Sequence, residues 1–353
     1  MAAITDHPII WTRGKTIGRG SFGIVTSATT TNFSIDIPST IAVKSALFSR
    51  SKSLQKERDL LHEFQDCDHV IRCFGADVTE EDGKILYNML LEYASGGSLA
   101  DRIGQNSRQG LQDLEVKQYA KSILLGLSHI HGRGFVHRDI KPDNILLVGT
   151  EKVAKIADFG SAKKVGGVKS QKKKHGLKGT PMYMAPESVL DNEYGPEADI
   201  WAFGCTVFEM VKGKTVWDCS EADNVVYLLC KIGMGSPDLQ NKRLSKVAED
   251  FLRKCLVKEP RSRWTADMLL RHIFLSSDDN VVVREQTRKK ELNPHLFIRL
   301  VDQCNLTVEQ VISCFLGGLK EELVNPIMMH EPKTLAKTCR LARLAEDTLA
   351  AIA

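Results

Sequence analysis

The residues HRDIKPDN at 137–144 and DFG at 158–160 say more about this chain than any other part of its sequence. The carboxylate of Asp158 and the side-chain amide of Asn144 supply hard oxygen ligands, the kind that a magnesium ion prefers in proteins. An asparagine and an aspartate in this order and at this spacing predict a site that holds Mg²⁺ beside phosphate groups.

The same stretch contains two side chains suited to phosphoryl transfer. That reaction needs positioned phosphates, a metal ion and a carboxylate beside the attacking hydroxyl, and little covalent help from the protein. Asp139 can orient the hydroxyl and accept its proton, and Lys141 can neutralise charge on the transferred group. The alternative is a chance turn rich in Asp and Asn, which so long a run followed by DFG does not favour.

A glycine-rich segment and a lysine-bearing strand precede these motifs. IGRGSFGIV at 17–25 fits the pattern GxGxxGxV, in which Gly18, Gly20 and Gly23 would let backbone N–H groups approach phosphate oxygens. Alone the pattern is weak, because glycine turns between strands are common and dinucleotide-binding folds use a similar one. It gains weight from the apolar strand IAVK at 41–44, which follows it.

Two interpretations are open for Lys44, the last residue of IAVK. It is either an edge lysine whose ammonium reaches solvent or a cation for the α- and β-phosphates of a nucleotide. The second interpretation needs a carboxylate to orient the ammonium. A helix is predicted over 51–65, and Glu57 in its middle is the best-placed candidate.

Hydrophobic periodicity divides the chain into a β-rich part and an α-rich part. Short segments rich in Ile, Val and Thr predict strands within 11–45, and two apolar runs predict strands at 70–74 and 85–93. The larger part that follows is predicted to be helical. Its helices are predicted over 113–131, 198–212 and 245–256.

In this order, the motifs resemble those of the eukaryotic protein kinase family over about residues 11–276. MAPE at 184–187 is similar to the end of an activation segment, and Arg263 to the arginine that pairs with its glutamate. DIWAFG at 199–204 resembles the helix whose aspartate anchors the catalytic loop. The resemblance implies an α+β fold of two lobes, with ATP and Mg²⁺ as cofactors.

The lobes implied by this resemblance are a small β-rich N-lobe at about 11–93 and a larger α-helical C-lobe at about 98–276. Glu92 and Ala94 would form the hinge that hydrogen-bonds adenine, next to a gatekeeper at Leu91. Apolar side chains on both faces of the base would complete the pocket. These are Ile17, Val25, Ala42 and Leu146.

Two features resemble the serine/threonine branch of the family: Lys141 and GTP at 179–181. The segments at 11–25, 90–99 and 179–187 are similar to those of plant MAP kinase kinase kinases of the MEKK-like group. That resemblance implies a MAP kinase kinase as the protein substrate.

Three other functions stay open. The first is a Ser/Thr kinase outside the MAP kinase cascade. The second is a kinase-fold scaffold that works by binding; loss of Lys44, Asp139 or Asp158 would have indicated it, and all three are present. The third is a structural role through self-association of the C-terminal segment.

Composition restricts the class of protein. A net charge of +4 over 353 residues does not predict nucleic-acid or membrane binding. Nine scattered cysteines without a CxxC spacing predict neither a disulfide framework nor a zinc site. With no signal peptide or long apolar run at the sequence level, we expect a cytoplasmic or nuclear protein.

The predicted activation segment is unusually basic. Residues 163–178 contain seven lysines, one histidine and no acidic residue. The run is either a solvated loop or a dock for an acidic substrate segment or an activating phosphate. Ser170 is the better placed of its hydroxyl residues to carry such a phosphate, with Arg138 as a partner.

The segment after the kinase-like part has a different composition. A polar linker is predicted at 277–292, and a helical extension at 293–353. SCFLGGLKEEL at 313–323 and the sequence after it resemble the end of the capsid-like Gag region of plant retrotransposons. We expect a mostly monomeric protein, with weak self-association through exposed apolar residues such as Phe315 and Leu319.

Overall fold

The computed structural model describes the chain in seven ranges: 9–20, 23–31, 37–106, 109–166, 177–218, 225–239 and 244–276. Within them it forms a β-sheet lobe followed by a larger helical lobe, which confirms the predicted fold class. The linker, the Gag-like extension and Ser170 lie outside the described residues.

The smaller lobe is a five-stranded antiparallel sheet. Its strands are β1 (Trp11–Gly20), β2 (Gly23–Thr30), β3 (Thr40–Leu47), β4 (Cys73–Glu81) and β5 (Lys84–Glu92), in the order β1-β2-β3-β5-β4. Side chains alternate across β3, so that Ile41 and Val43 pack with Ala28 and Leu90 on one face while Lys44 lies on the other. That second face is covered by helix α1 (Lys52–His62).

The apolar run at 70–74 does not form the strand that it predicts. Val70 makes only an isolated bridge to Ile156, and β4 begins at Cys73 and continues to Glu81 through polar residues. Because β4 lies at the edge of the sheet, polar side chains there stay in contact with water and conceal the strand pattern. The turn that joins β4 to β5 has φ values of 50° at Asp82 and 70° at Gly83. An Asp-Gly pair is typical of such a turn, and it was the feature of the sequence that indicated a hairpin here.

The larger lobe is built around one helix that is buried on all sides. Its helices are α2 (Leu99–Gln105), α3 (Asp113–Gly132), α4 (Pro186–Asp191), α5 (Pro196–Lys212), α6 (Val225–Met234), α7 (Lys246–Cys255) and α8 (Ala266–Leu270). Trp201 and Phe203 of α5 are fully buried, and α3 and α7 pack against this helix. The three helices predicted in this lobe are confirmed as α3, α5 and α7.

Two short two-stranded sheets complete the lobe and flank the loops of the site. Their strands are β6 (Phe135–Val136), β7 (Ile145–Val148), β8 (Val153–Ile156) and β9 (Lys163–Lys164), with β6 paired to β9 and β7 to β8. None of the helices in the described part of the chain has an apolar stretch long enough to span a bilayer.

The cysteines in the described part of the chain are reduced and buried. They are Cys67, Cys73, Cys205, Cys230 and Cys255. Burial raises the pKa of the Cys73 thiol to about 11, and it raises the pKa values of Cys205 and Cys255 as well.

A buried ion pair joins the start of α4 to the end of the lobe. The guanidinium of Arg263 lies 2.8 Å from Oε1 of Glu187 and also donates to the carbonyls of Val257 and Glu197. The Arg263 side chain is fully buried, so each of its donors needs an acceptor within the protein.

We expect Arg263→Ala to lower the free energy of unfolding by about 3–5 kcal/mol, because Glu187 is left buried without its partner. Urea denaturation followed by circular dichroism measures the change. The matched control is Arg253→Ala, which removes an exposed pair with Glu249 and should cost less than about 0.5 kcal/mol. Equal losses in the two variants would contradict the prediction.

Candidate active site

Strand β3 places Lys44 between the two lobes. Its Nζ lies 2.8 Å from Oε2 of Glu57 on α1 and 3.1 Å from Oδ1 of Asp158 in the larger lobe. Only 9% of Lys44 is exposed, so the interpretation as an edge lysine that reaches solvent is wrong. The three predicted residues meet in one cluster.

The cluster contains two carboxylates and one ammonium, and burial together with the charges of the neighbours sets their pKa values. Burial alone would lower the pKa of Lys44, but the charges of Glu57 and Asp158 outweigh it and raise that pKa. Burial would raise the pKa of Asp158, yet Lys44 holds it below its usual value. Asp158 is therefore a carboxylate at neutral pH.

Packing of the DFG phenylalanine, Phe159, holds α1 close to Asp158 and so keeps Glu57 near Lys44. Phe159 is 1% exposed, and its ring centroid lies 5.3 Å from that of Phe64 and 4.8 Å from that of His137. Phe64 follows directly after α1, so the contact ties this helix to the segment that carries Asp158. The apolar contact thus positions the charged cluster.

A hydrogen-bond network fixes the carboxylate of Asp139. Oδ1 accepts the backbone N–H and the hydroxyl of Thr180, at 3.0 and 2.9 Å. Oδ2 accepts from Nδ2 of Asn144 at 3.0 Å and lies 3.7 Å from Nζ of Lys141. Lys141 also donates to the Thr180 hydroxyl at 2.8 Å. In the sequence, Thr180 stands out only as part of GTP at 179–181, and its contact with Asp139 was not predicted.

The catalytic loop, residues 137–144, is anchored by the buried carboxylate of Asp199 in the first turn of α5. Asp199 accepts the N–H groups of His137 and Arg138, both at 2.8 Å, and lies 2.9 Å from Nε2 of His131. Burial would raise the pKa of Asp199, but these hydrogen bonds hold it below its usual value. The backbone of Arg138 is held at a φ of 69°, a strained value for a residue with a side chain.

Asn144 and Asp158 form a donor set that fits a divalent metal bound together with phosphates. The N–H of Ala157 donates to the carbonyl of Asn144 at 2.9 Å, which brings the asparagine beside the residue before Asp158. The amide nitrogen of Asn144 is directed at Asp139, which leaves the amide oxygen as its ligand atom. No cluster of three or more His, Cys, Asp or Glu suited to a metal occurs in the described ranges. Phosphates and water would therefore supply the remaining ligands.

The predicted adenine pocket draws side chains from both lobes. Ala42 pairs with Leu91 across β3 and β5, and Val25 pairs with Gly18 across β1 and β2. Leu146 lies on β7. Its neighbour Leu147 accepts the N–H of Gly96 and donates its own N–H to the carbonyl of Gly97, both at 2.9 Å, which holds β7 beside the hinge. The remaining residue, Ile17, is 48% exposed, as suits the edge of an open pocket.

The three glycines of the loop have different physical roles. A Cβ on Gly18 would meet no atom closer than 3.8 Å, so the space over it is open to a ligand. A Cβ on Gly23 would lie 2.1 Å from the carbonyl oxygen of Ser45, and its φ is 142°. Gly23 is therefore required by the packing of β2 on β3, whereas Gly20 simply pairs with Gly23 across the turn.

The side chain of Glu92 does not have the role that its hinge position suggests. Both carboxylate oxygens accept from Nζ of Lys155 on β8 at 2.9 Å, and one also accepts the N–H of Arg72. A contact between Glu92 and adenine would have to come from its backbone, as for Ala94. Lys155 lies 63 residues away in sequence and gave no signal.

The chain is similar to known protein kinases over most of its length. A model of the protein kinase domain matches residues 11–275. Mitogen-activated protein kinase kinase kinase 20 of Arabidopsis thaliana is 46% identical over 291 residues, which cover 80% of this chain and 84% of that protein. Kinases 18 and 17 of the same series and organism are 42% and 39% identical, over 77% of this chain and 79% and 71% of their own lengths.

We expect Glu92→Gln to change the KM for ATP by less than about twofold, because the carboxylate contacts Lys155 and not the nucleotide. The melting temperature should fall by a few degrees, which is the change that a loss of about 1 kcal/mol in the free energy of unfolding produces. Steady-state kinetics and a melting curve measure both effects. A rise of about tenfold or more in the KM for ATP would show that the carboxylate binds adenine.

Proposed function

The chain belongs to the protein kinase family as a serine/threonine protein kinase, and from this premise we propose that it phosphorylates a MAP kinase kinase. One observation carries the proposal: the three relatives are all named mitogen-activated protein kinase kinase kinase, and the similarity covers 71% or more of each. That name describes a kinase whose substrate is a MAP kinase kinase. The similarity extends over most of each relative and not only over the shared motifs.

We infer that the nucleotide binds at the charged cluster between the lobes, which contains Lys44, Glu57 and Asp158. A protein kinase domain uses ATP and a divalent metal, and we propose Mg²⁺, because the oxygen atoms of Asn144 and Asp158 suit a hard cation. When bound, the metal supplies positive charge to the phosphates. Lys44, oriented by Glu57, supplies a second positive charge at the α- and β-phosphates.

Transfer of the phosphoryl group uses the network around Asp139. Its carboxylate orients the substrate hydroxyl and accepts the proton as the hydroxyl oxygen bonds to the γ-phosphorus. The bond from the γ-phosphorus to the bridging oxygen of ATP breaks, and ADP leaves. Lys141, within 3.7 Å of the carboxylate, stabilises the charge on the transferred group. The hydrogen bonds from Thr180 and Asn144 hold the carboxylate in place before the substrate arrives.

The alternatives of the sequence analysis differ in how the geometry supports them. A kinase-fold scaffold needs none of these contacts, and here Lys44, Glu57, Asp158 and Asp139 lie in the arrangement that transfer requires. A substrate outside the MAP kinase cascade stays the second candidate, since the described residues of the site do not by themselves select between protein substrates. A structural role for the tail concerns residues outside the described ranges.

We expect Asp139→Asn to lower kcat by at least about 10³-fold while ATP binding persists, because the amide cannot accept the proton. Radiolabelled phosphate transfer and nucleotide binding, measured on the same preparation, separate the two functions. The control is Asp68→Asn, an exposed carboxylate that should leave both values within about twofold. A folded Asp139→Asn variant with near-normal turnover would contradict the assigned role.

The substrate is tested with a MAP kinase kinase that has been inactivated by substitution of its own catalytic aspartate. We expect the wild-type chain to label it on Ser or Thr, as located by mass spectrometry, with a kcat/KM at least about 100-fold above that for casein. The Asp139→Asn variant serves as the blank. Equal labelling of casein and the MAP kinase kinase would support a kinase outside the cascade.

A further inference from the structure

The side chain of Arg138, next to the catalytic aspartate, is held by two groups. Its Nε donates to the carbonyl of Ser161, just after DFG, and its guanidinium carbon lies 5.6 Å from the ring centroid of Tyr194. A guanidinium over an aromatic face is attracted by the ring quadrupole, whose face is negative, and more strongly where water is partly excluded. Burial lowers the pKa of Arg138, although a guanidinium remains charged in a protein.

Tyr194 makes a second contact with its other end. Its hydroxyl oxygen accepts the backbone N–H of Lys178 at 2.8 Å. Lys178 belongs to the end of the activation segment, and Tyr194 precedes α5 by two residues. One partly buried side chain therefore touches the catalytic loop with its ring and the activation segment with its hydroxyl.

The segment held at Lys178 leads directly to the catalytic network. Gly179 follows with a φ of 100°, and a Cβ there would lie 2.8 Å from the carbonyl oxygen of Arg138. Thr180 comes next and donates two hydrogen bonds to Asp139. Displacement of Lys178 by an ångström would move these donors away from the carboxylate, two residues along the same backbone.

We propose that Tyr194 is a positioning residue, which holds the activation segment against the catalytic loop and makes the site competent without a phosphate on that segment. The proposal rests on the proposed kinase function and adds how the active arrangement is maintained. A phosphate would supply negative charge to Arg138 and a fixed point to the segment. Here the ring and the Ser161 carbonyl face the guanidinium, and the hydroxyl provides the fixed point at Lys178.

The small volume left between Tyr194, Arg138 and Lys178 supports this role for Tyr194. A cavity of about 20 Å³ lies among the residues that include Arg138, Lys178, Thr180 and Tyr194. That volume holds a single water molecule, so the side chains already fill most of the region where the two segments meet. A smaller residue at 194 would open it and would remove both contacts at once.

The experiment uses the full chain treated with a protein phosphatase, with mass spectrometry showing that the activation segment carries no phosphate. We expect this protein to phosphorylate casein. Tyr194→Phe keeps the ring and loses the hydroxyl, so kcat should fall about five- to tenfold, the value of one hydrogen bond. Tyr194→Leu loses both contacts, so its kcat should fall about 30- to 100-fold. The KM for ATP should stay within about twofold in both.

A matched control separates positioning from general stability. Tyr119→Phe removes the hydroxyl of a buried tyrosine on α3, away from the catalytic loop, and should leave kcat within about twofold. A tyrosine that only stabilised the lobe would lower kcat, ATP binding and the melting temperature together. A positioning residue lowers kcat alone.

Hydrogen exchange gives a readout that does not depend on activity. The Lys178 amide should exchange at least about fivefold faster in Tyr194→Phe than in the wild type, because its acceptor is gone. Equal exchange would overturn the proposal, and so would a wild-type kcat in Tyr194→Leu. Activity that appears only after the segment is phosphorylated would also overturn it. Labelling of casein without labelling of a MAP kinase kinase would sink only the substrate assignment.

Discussion

A single carboxylate in the first turn of α5 holds the catalytic loop, and the rest of the site depends on it. Asp199 is 1% exposed, and hydrogen bonds of its kind, to a charged group, contribute about 1.5–3 kcal/mol each. Two of them go to the N–H groups of His137 and Arg138 and outweigh the strain of about 1–2 kcal/mol at Arg138. The carboxylate lies in the core because α5 is buried on all sides, so the position of Asp139 follows from the packing of a helix.

The charged cluster around Lys44 shows how burial and charge are balanced at the site. Two carboxylates around one ammonium leave an excess negative charge in a partly desolvated place, which is costly without a further cation. Asp158 keeps 34% of its side chain exposed, so water compensates it until a ligand arrives. The arrangement suits a site that receives a metal together with phosphates and does not keep one permanently.

The parts of the site that lie close together in sequence were predictable, and so were the distant contacts that the family resemblance implies, such as Glu187 with Arg263 and Asp199 with the catalytic loop. Other contacts between distant segments were not. Asp139, Lys141 and Asn144 fall within six residues whose chemistry is evident from their order. The Lys141–Thr180 contact spans 39 residues and the Glu92–Lys155 pair spans 63, with no periodic pattern to announce either. In the fold, buried helices had clear apolar spacing, whereas the polar edge strand β4 had none. The loop glycines look alike in sequence, yet only the structure shows that a side chain on Gly23 would clash with the carbonyl oxygen of Ser45.

The buried cysteines have a consequence for redox chemistry. Oxidants and electrophiles attack the thiolate, and with a pKa of about 11 roughly one Cys73 side chain in ten thousand is ionised at pH 7. Cys73 pairs in register with Leu91 across β4 and β5 and is buried, so an electrophile such as an acrylamide should react with it slowly. Burial also raises the pKa values of Cys67, Cys205 and Cys255, so these thiols should likewise resist peroxide as long as the lobes stay folded. Sulfenylation at Cys73 would thus report local unfolding of the small lobe.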